Sequence, residues 1–331
     1  MFEKAKEIIN SSKDIYIVGH INPDGDSIGS AFALYYSLKE LGKNVNVIMK
    51  KHSDSFSFLP GIENIVDHVD KNEYDLLICV DSSQKSRLDI SDEDFNKAKH
   101  TILIDHHRKA ETEDNNYCNL CFVDVNLPAA CQIVYNFIKK LNLPFNINSA
   151  TYIYTGLMTD TGSFNYSSTT PETLRIAADL VEMGVDFAGI CQKLNDTIKE
   201  EKLRLIAYSI DNMESIFDGK VRYVYVSYEK IKSLNLDEED AEGVTNYLRK
   251  VKGTEVAIYV RGRSDGTNKV SLRSAGLVDV SKIAISFGGG GHQRAAGYTM
   301  YEDINVEKER LLNMIEVMLK WWWGLRLEME F

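Results

Sequence analysis

The chain has 331 residues, 44% hydrophobic and 26% charged, with a formal net charge of −11. That length predicts two domains with real cores in a soluble globular protein. The acidic balance excludes bulk binding to duplex nucleic acid by charge alone, so no duplex DNA partner is expected, though a small basic pocket is still allowed. Met1–Glu7 has no apolar signal core, and no run reaches the ~20 apolar residues of a membrane span. The expected compartment is the cytosol, with no membrane partner.

Residues 2–12 read as a short helix. Ile15-Tyr16-Ile17-Val18-Gly19 is an apolar, β-branched run that stops on His20. Such runs read as buried strands of a parallel sheet. Ile21-Asn22-Pro23-Asp24-Gly25-Asp26 follows, and Pro23 and Gly25 force a tight turn that presents Asp24 and Asp26 near His20. A helix is predicted from about Ser27 to Leu41, with Ile28, Phe32, Leu34, Tyr35, Leu38 and Leu41 at helical spacing. Capping by Asp26 accounts for one of the two carboxylates, not for both and the preceding His. A calcium loop fails, because the fifth and twelfth positions counted from Asp24 are Ile28 and Tyr35.

Val45–Ile48 reads as the next strand and 62–72 as a connecting segment. Leu76-Leu77-Ile78-Cys79-Val80 then runs into Asp81, and Ile102-Leu103-Ile104 into Asp105-His106-His107. Three strands that each stop on His or Asp bring those side chains to one edge of one sheet, where open α/β sheets bind ligands. Ser91–Lys99 is an acidic, solvated, helix-compatible stretch. Helices are predicted at 128–141, opening at Pro128, at 148–158, and at 171–183 before Gly184. The 148–158 helix runs into Asp160-Thr161-Gly162. Five cysteines stand at scattered spacings. Cys118-x-x-Cys121 has no second such pair, so these thiols and Cys79 read as reduced and structural.

A largely helical stretch at 186–214 leads to a second domain. Its strands are predicted at Arg222–Ser227, Glu255–Arg261 and Lys269–Arg273, and its helices at 238–250 and 305–320. Gly288-Gly289-Gly290-Gly291-His292-Gln293-Arg294 is its most distinctive stretch and matches neither a Walker loop nor a dinucleotide fingerprint. Successive glycines let backbone amides converge on an anion, and His292 and Arg294 add donors. From Gly253 to Gly297 six basic residues (Arg261, Arg263, Lys269, Arg273, Lys282, Arg294) outnumber Glu255, Asp265 and Asp279, so the acidic chain turns locally basic here.

The first cluster gathers His20, Asp24, Asp26, Asp81, Asp105, His106, His107 and Asp160. Five carboxylates in one small space need compensating positive charge. A set rich in carboxylate with imidazole and no thiolate favours Mn²⁺ or Mg²⁺, and it exceeds what one ion needs. Two ions bridged by a carboxylate would use it.

These residues carry a resemblance. His20-x-Asn22-Pro23-Asp24-x-Asp26, Asp81, Asp105-His106-His107 and Asp160 resemble, in order, the four motifs of the DHH phosphoesterase family. Ser271-Leu272-Arg273-Ser274 followed by the glycine run and Ala295-Ala296-Gly297 resembles the DHH-associated C-terminal domain. The resemblance implies an α/β fold. An N-terminal parallel-sheet catalytic domain (1–195) is joined by a helical linker (196–218) to a smaller α/β substrate domain (219–323), with a tail (324–331) and the active site in the cleft between. It implies that His20 and Asp24 hold one ion, that Asp26, His106 and Asp160 hold the other, and that Asp81 bridges them. The ions would be Mn²⁺, with Mg²⁺ or Co²⁺ as alternatives. Asp105 would orient a histidine, and His107 would face the substrate phosphate. Ser271, Arg273, Gly288, Gly289, Gly290, Gly291, His292 and Arg294 would hold the nucleotide.

The compact build is similar to the bacterial nanoRNase/pAp-phosphatase type, with short single-stranded RNA, pAp or other small nucleotides as partners. Hydroxide attack on phosphorus between two metals would release mononucleotides from substrates of two to five residues and AMP from pAp. A soluble cyclic di-AMP or pApA phosphodiesterase is the alternative, and a non-catalytic nucleotide sensor the alternative of another class. Trp321-Trp322-Trp323 reads as the end of a terminal helix that docks on the body or on a second copy in a homodimer.

Overall fold

The computed structural model describes residues 1–82, 84–107, 117–238 and 240–329, the last nine as backbone only. The chain forms two compact units, Met1–Thr197 and Ile198–Phe331. Their element content is α/β in both cases, as the sequence predicts.

The first unit runs α1 (Phe2–Ser11), β1 (Asp14–Val18), α2 (Gly25–Glu40), β2 (Asn44–Ile48), β3 (Ile65–Val66), β4 (Tyr74–Val80), α3 (Asp92–Asn96), β5 (Ala98–Asp105), β6 (Leu120–Val123), α4 (Ala130–Leu141), α5 (Ile147–Asp160), α6 (Pro171–Glu182) and α7 (Phe187–Cys191). Its six strands are all parallel, in the order β3-β2-β1-β4-β5-β6. This is a doubly wound order, and its direction reverses between β1 and β4. Ile15, Ile17, Ile78, Ile102 and Ile104 face a core with α1, α2, α4, α5 and α6. Tyr16, Val18, Cys79 and Leu103 face the other, with Phe95 of α3, Leu88 and Cys118. Burial on both faces explains why these strands read as continuous apolar runs.

Three expectations are corrected. The segment at 62–72 contains the two-residue edge strand β3. β6 was unforeseen, because Leu120–Val123 is too short to stand out. The helix expected to open at Pro128 begins at Ala130, with Ala129 extended at φ −156° and ψ 146°. The thiols are as expected. None of the five cysteines is in a disulfide, and Cys79 and Cys118 touch Sγ to Sγ at 3.8 Å.

α2 crosses α5 at very short range. A Cβ on Gly29 would lie 2.6 Å from the Tyr152 carbonyl oxygen, and one on Gly156 would lie 2.1 Å from Cys131 Sγ. Only glycine allows both approaches.

The second unit runs α8 (Glu200–Asp211), β7 (Glu214–Ile216), β8 (Val221–Val226), α9 (Tyr228–Ser233), α10 (Val244–Arg249), β9 (Val256–Gly262), β10 (Asn268–Ser274), α11 (Val280–Ser286), β11 (Gly290–His292), β12 (Ala295–Met300) and α12 (Ile304–Met329). Its mixed sheet has the order β11-β12-β10-β9-β8-β7, and only β8 and β9 are parallel. One face packs on α11 and α12, the other on α8 and α10. α8, inside the expected linker, buries Leu205 and Ile206 in that second core. The helix expected at 238–250 shrinks to α10, because Gly243 breaks it at φ +81°. The one expected at 305–320 extends to Met329. Among the described residues, no helix is long and apolar enough to cross a membrane. The side chains of Trp321, Trp322 and Trp323 lie outside the described residues.

Ala has the higher helix propensity by ~1 kcal/mol, so an isolated helix would gain from Gly29→Ala. Here the added methyl meets backbone. Urea unfolding of the variant without metal is expected to show a loss of about 1–3 kcal/mol. A gain would show that α2 and α5 part freely.

Candidate metal centre

The carboxyl ends of β1, β4 and β5 meet at the switch point of the sheet. β1 delivers His20, β4 delivers Asp81, and β5 ends on Asp105 before His106 and His107. α2 opens on Asp24 and Asp26, and α5 closes on Asp160. The cap of α2 is Asp24, whose Oδ1 accepts the amides of Asp26 and Ser27 at 3.0 and 3.1 Å. Asp26 instead turns inward.

The structure distributes all eight residues over three groups, in each of which ligand atoms lie within 4.8 Å of one another: His20–Asp24–Asp81, Asp26–His106–Asp160 and Asp81–Asp105–His107, the first and last sharing Asp81. Asp81 is common ground. Its Oδ2 is 3.5 Å from His20 Nε2 and its Oδ1 3.5 Å from His106 Nε2. His106 Nε2 is also 3.6 Å from Asp26 Oδ2 and 3.5 Å from Asp160 Oδ2. Asp81 sits at φ +56°, a left-handed conformation that costs a non-glycine residue energy and is typical of functional sites.

The imidazoles are oriented from behind. His20 Nδ1 donates to the Ile21 carbonyl at 2.9 Å, and His106 Nδ1 to the Leu127 carbonyl at 3.2 Å. In the neutral ring each Nε2 then carries a lone pair, aimed at carboxylate oxygens. That opposition is stable only with a proton or cation between them. The histidine that Asp105 contacts is His107: Oδ1 accepts Nδ1–H at 2.8 Å and the backbone amide at 3.3 Å.

Electrostatics tell the same story. Asp26, Asp81 and Asp105 are 1%, 2% and 0% exposed, so their charge is withdrawn from water. Asp81 Oδ1 and Asp105 Oδ2 are buried and accept no hydrogen bond from the described residues. Burial and repulsion from Asp81 push Asp26 up to about 7. Burial and repulsion from Asp26 also raise Asp160 well above the carboxylate range. Burial alone would raise Asp81, but His106 and His20 hold it well below that range. Burial opposes protonation of His20, yet Asp24 and Asp81 raise it to about 11. Orphaned oxygens, opposed lone pairs and mutual repulsion fit bound divalent cations. His20, Asp24 and Asp81 would hold one, and Asp26, His106, Asp160 and Asp81 a second.

The second unit places its predicted residues in rows across three strands. Arg273 of β10, Ala295 of β12 and His292 of β11 align in register, and so do Ser271, Gly297 and Gly290. The small residues of β12 leave the middle of both rows low. The glycine run is partly strand. A Cβ on Gly289 would lie 2.3 Å from the Gly297 carbonyl oxygen, and one on Gly291 would lie 2.5 Å from that of Ala295. Glycine lets this edge pass close over β12. Gly288 precedes it at φ +76°. Arg294 is not in these rows, since its guanidinium passes beside Gly276.

Sequence reading missed the carbonyls of Ile21 and Leu127 and two backbone amides on Asp26, from Ala130 and Cys131. Backbone groups leave no residue-type signal. The start of a helix with no capping side chain just after Pro128 was the one available hint.

A cation must displace the proton that His20 otherwise keeps to about 11, so affinity for the metal is expected to rise with pH. Calorimetric titration of the chelator-stripped protein with Mn²⁺ at pH 7, in buffers of different ionisation enthalpy, should show net proton release. No release would mean that the ligating imidazoles are already neutral.

Comparison with known proteins follows the same division. The model of the DHH family, N-terminal domain, matches residues 14–157, and that of the DHHA1 domain matches 218–321. A protein of Thermus thermophilus named bifunctional oligoribonuclease and PAP phosphatase NrnA is 34% identical, over 91% of this chain and 89% of its own. One of Streptococcus mutans, named as a probable protein of the same kind, is 29% identical over 92% and 96%. The crystal structure of an exopolyphosphatase-related protein from Bacteroides fragilis superposes with a TM-score of 0.86 at 27% identity, covering 98% of this chain and 96% of its own. With both domains matched in order, and with the Thermus relative alike across nearly its whole length, the chain belongs to the DHH family of phosphoesterases and carries a DHHA1 domain after its DHH domain.

Proposed function

We propose that the protein hydrolyses short oligoribonucleotides to mononucleotides and dephosphorylates pAp to AMP, with two divalent ions, Mn²⁺ foremost. The observation that carries the reading is the position of Asp81, one oxygen toward each histidine group. The names of the Thermus and Streptococcus relatives support the substrate class.

Two divalent ions held by His20, Asp24, Asp26, Asp81, His106 and Asp160 would supply the missing positive charge and Lewis-acid chemistry toward water and phosphorus. The residues around them have separate tasks. Asp81 turns one oxygen toward His20 and the other toward His106, and its left-handed backbone sets both directions. His106 and His20 present Nε2 because carbonyls hold Nδ1. Burial works against a proton on His107, but Asp105 raises its affinity for one, and a protonated His107 would offset charge that develops on a phosphate oxygen. In the second unit Arg273 offers a planar guanidinium to a phosphate, beside Ser271 and His292. The low row through Ala295 and Gly297 leaves space for a base or sugar.

The first test is a turnover assay with Mn²⁺ or EDTA on pAp, pApA, cyclic di-AMP, pyrophosphate and 5′-phosphorylated RNA of two to twenty-four nucleotides. Metal-dependent release of mononucleotides from the dimers and short RNAs, with hydrolysis of pAp, is expected. Turnover of pApA or cyclic di-AMP alone would move the assignment to second-messenger degradation, and binding without turnover would leave a nucleotide sensor. Asp105→Ala removes one partner of His107 and is expected to lower the rate about 10–100-fold, the usual effect of losing an outer partner.

Arg273→Ala is a separate prediction. Loss of a charge-assisted contact is expected to raise KM by about 10–100-fold while kcat falls less. An equal fall in kcat with KM unchanged would place Arg273 in the chemical step instead.

A further inference from the structure

Asp26 is held from outside its own helix. Its Oδ2 accepts the Ala130 amide at 2.6 Å and its Oδ1 the Cys131 amide at 2.8 Å. These are the first two residues of α4, a helix of 12 residues whose N-cap, Ala129, has no side chain to offer. Asp26 therefore caps a helix that starts over a hundred residues later in the chain. Two adjacent amides, one to each oxygen, fix the plane of the carboxylate as well as its place. The remaining lone pairs are available toward His106, whose Nε2 is 3.6 Å from Oδ2.

The same turn reaches further. Cys131 Sγ donates to the Asp26 carbonyl at 3.5 Å and accepts from Ser30 Oγ at 3.3 Å. It fills the space beside Gly29 and Gly156. α2, α4 and α5 thus converge on one residue, and α5 ends on Asp160.

The His20–Asp24 group is built differently. Asp24 is exposed, and its two amide donors come from its own helix. His20 Nε2 lies 3.8 Å from its Oδ1, but among the described residues no backbone amide of a second element bonds it. The two groups therefore differ in what holds their carboxylates.

We propose that Ala130 and Cys131 are positioning residues for the Asp26–His106–Asp160 group: their backbone amides set the orientation of Asp26, and with it how tightly this group holds a divalent ion. The proposal rests on the two-ion reading above. Ligating carboxylates depend on outer hydrogen bonds, and the positive end of a helix offsets anionic charge without adding a formal one.

Proline is acceptable at the first position of a helix, and Ala129 already has the extended backbone that must precede it. Ala130→Pro therefore removes one donor to Asp26 and sets ring atoms against its carboxylate. Ala130→Gly keeps the amide and removes only the methyl. The chelator-stripped full-length protein and both variants are titrated with Mn²⁺, and free Mn²⁺ is read by electron paramagnetic resonance. Wild type is expected to bind two ions. Ala130→Pro should keep one at ordinary affinity and hold the other about 10-fold or more weaker, while Ala130→Gly stays within about twofold at both. Circular dichroism checks folding. If the proline variant does not fold, replacing Ala130 by lactic acid, which exchanges the amide for an ester without added bulk, decides on the same readout.

Wild-type affinity for both ions in the folded proline or ester variant would overturn the proposal and leave the two-ion reading intact. Equal weakening in Ala130→Gly would also overturn it, by assigning the effect to packing. If wild type binds fewer than two ions, the reading beneath it fails and takes the proposal with it.

Discussion

Repulsion among buried carboxylates at the carboxyl end of one parallel sheet is the constraint that organises the first unit. Asp26, Asp81 and Asp105 are all but inaccessible to water, and Asp24 and Asp160 lie beside them. Such a group is tolerable only where positive charge is supplied. Every nearby feature answers that demand. Backbone carbonyls turn His20 and His106 so that Nε2 points inward. The helix α4 directs its amides at Asp26. Asp81 adopts a strained backbone to stand between two imidazoles. What remains unsatisfied among the described residues, above all Asp81 Oδ1, fits a bound cation.

Packing makes that electrostatic arrangement rigid. α2 carries Asp24 and Asp26 at its start and lies buried along most of its length. Its approach to α5 is limited by a backbone carbonyl and by Cys131 Sγ rather than by long side chains. Contacts of this kind resist sliding, since close-packed interiors have few spare voids. The ends of α2 and α5 are therefore fixed relative to each other, and so are Asp26 and Asp160. The small residues that permit this look unremarkable, yet they set distances among ligands.

The second unit solves a different problem. It offers a surface rather than a buried cluster. Ser271 and Arg273 stand on β10, and Gly290 and His292 stand two strands away, with Gly297 and Ala295 between them. A cationic side chain, an imidazole and a low middle suit a flat, anionic guest. Glu255 supports the neighbouring turn from below, where its Oε1 accepts the amides of Gly276, Leu277 and Val278 and the hydroxyl of Ser274. That buried carboxylate is taken up by backbone amides and a hydroxyl, whereas Asp81 of the first unit faces imidazoles on both sides.

Much of this was legible in the sequence. Strands buried on both faces appear as apolar runs, so β1, β4 and β5 and the polar residues that end them could be read directly. His20, Asp81, Asp105, His106 and His107 followed from that pattern, because a parallel sheet gathers strand ends at one edge, while Asp24 and Asp26 came from the turn after His20 and Asp160 from the end of a helix. The glycine run and the local basic charge likewise marked the second unit. Tertiary structure alone decided the rest. The division of ligands between two groups depends on distances between side chains remote in sequence, which no spacing encodes. The start of α4 at Ala130 was fixed by Asp26, not by Pro128, because a carboxylate from another helix satisfies its first amides. The conversion of the glycine run into an edge strand needed β12 beneath it. Residue types announce which chemistry is available; the backbone groups that aim it are the same in every residue and become informative only once the chain has folded.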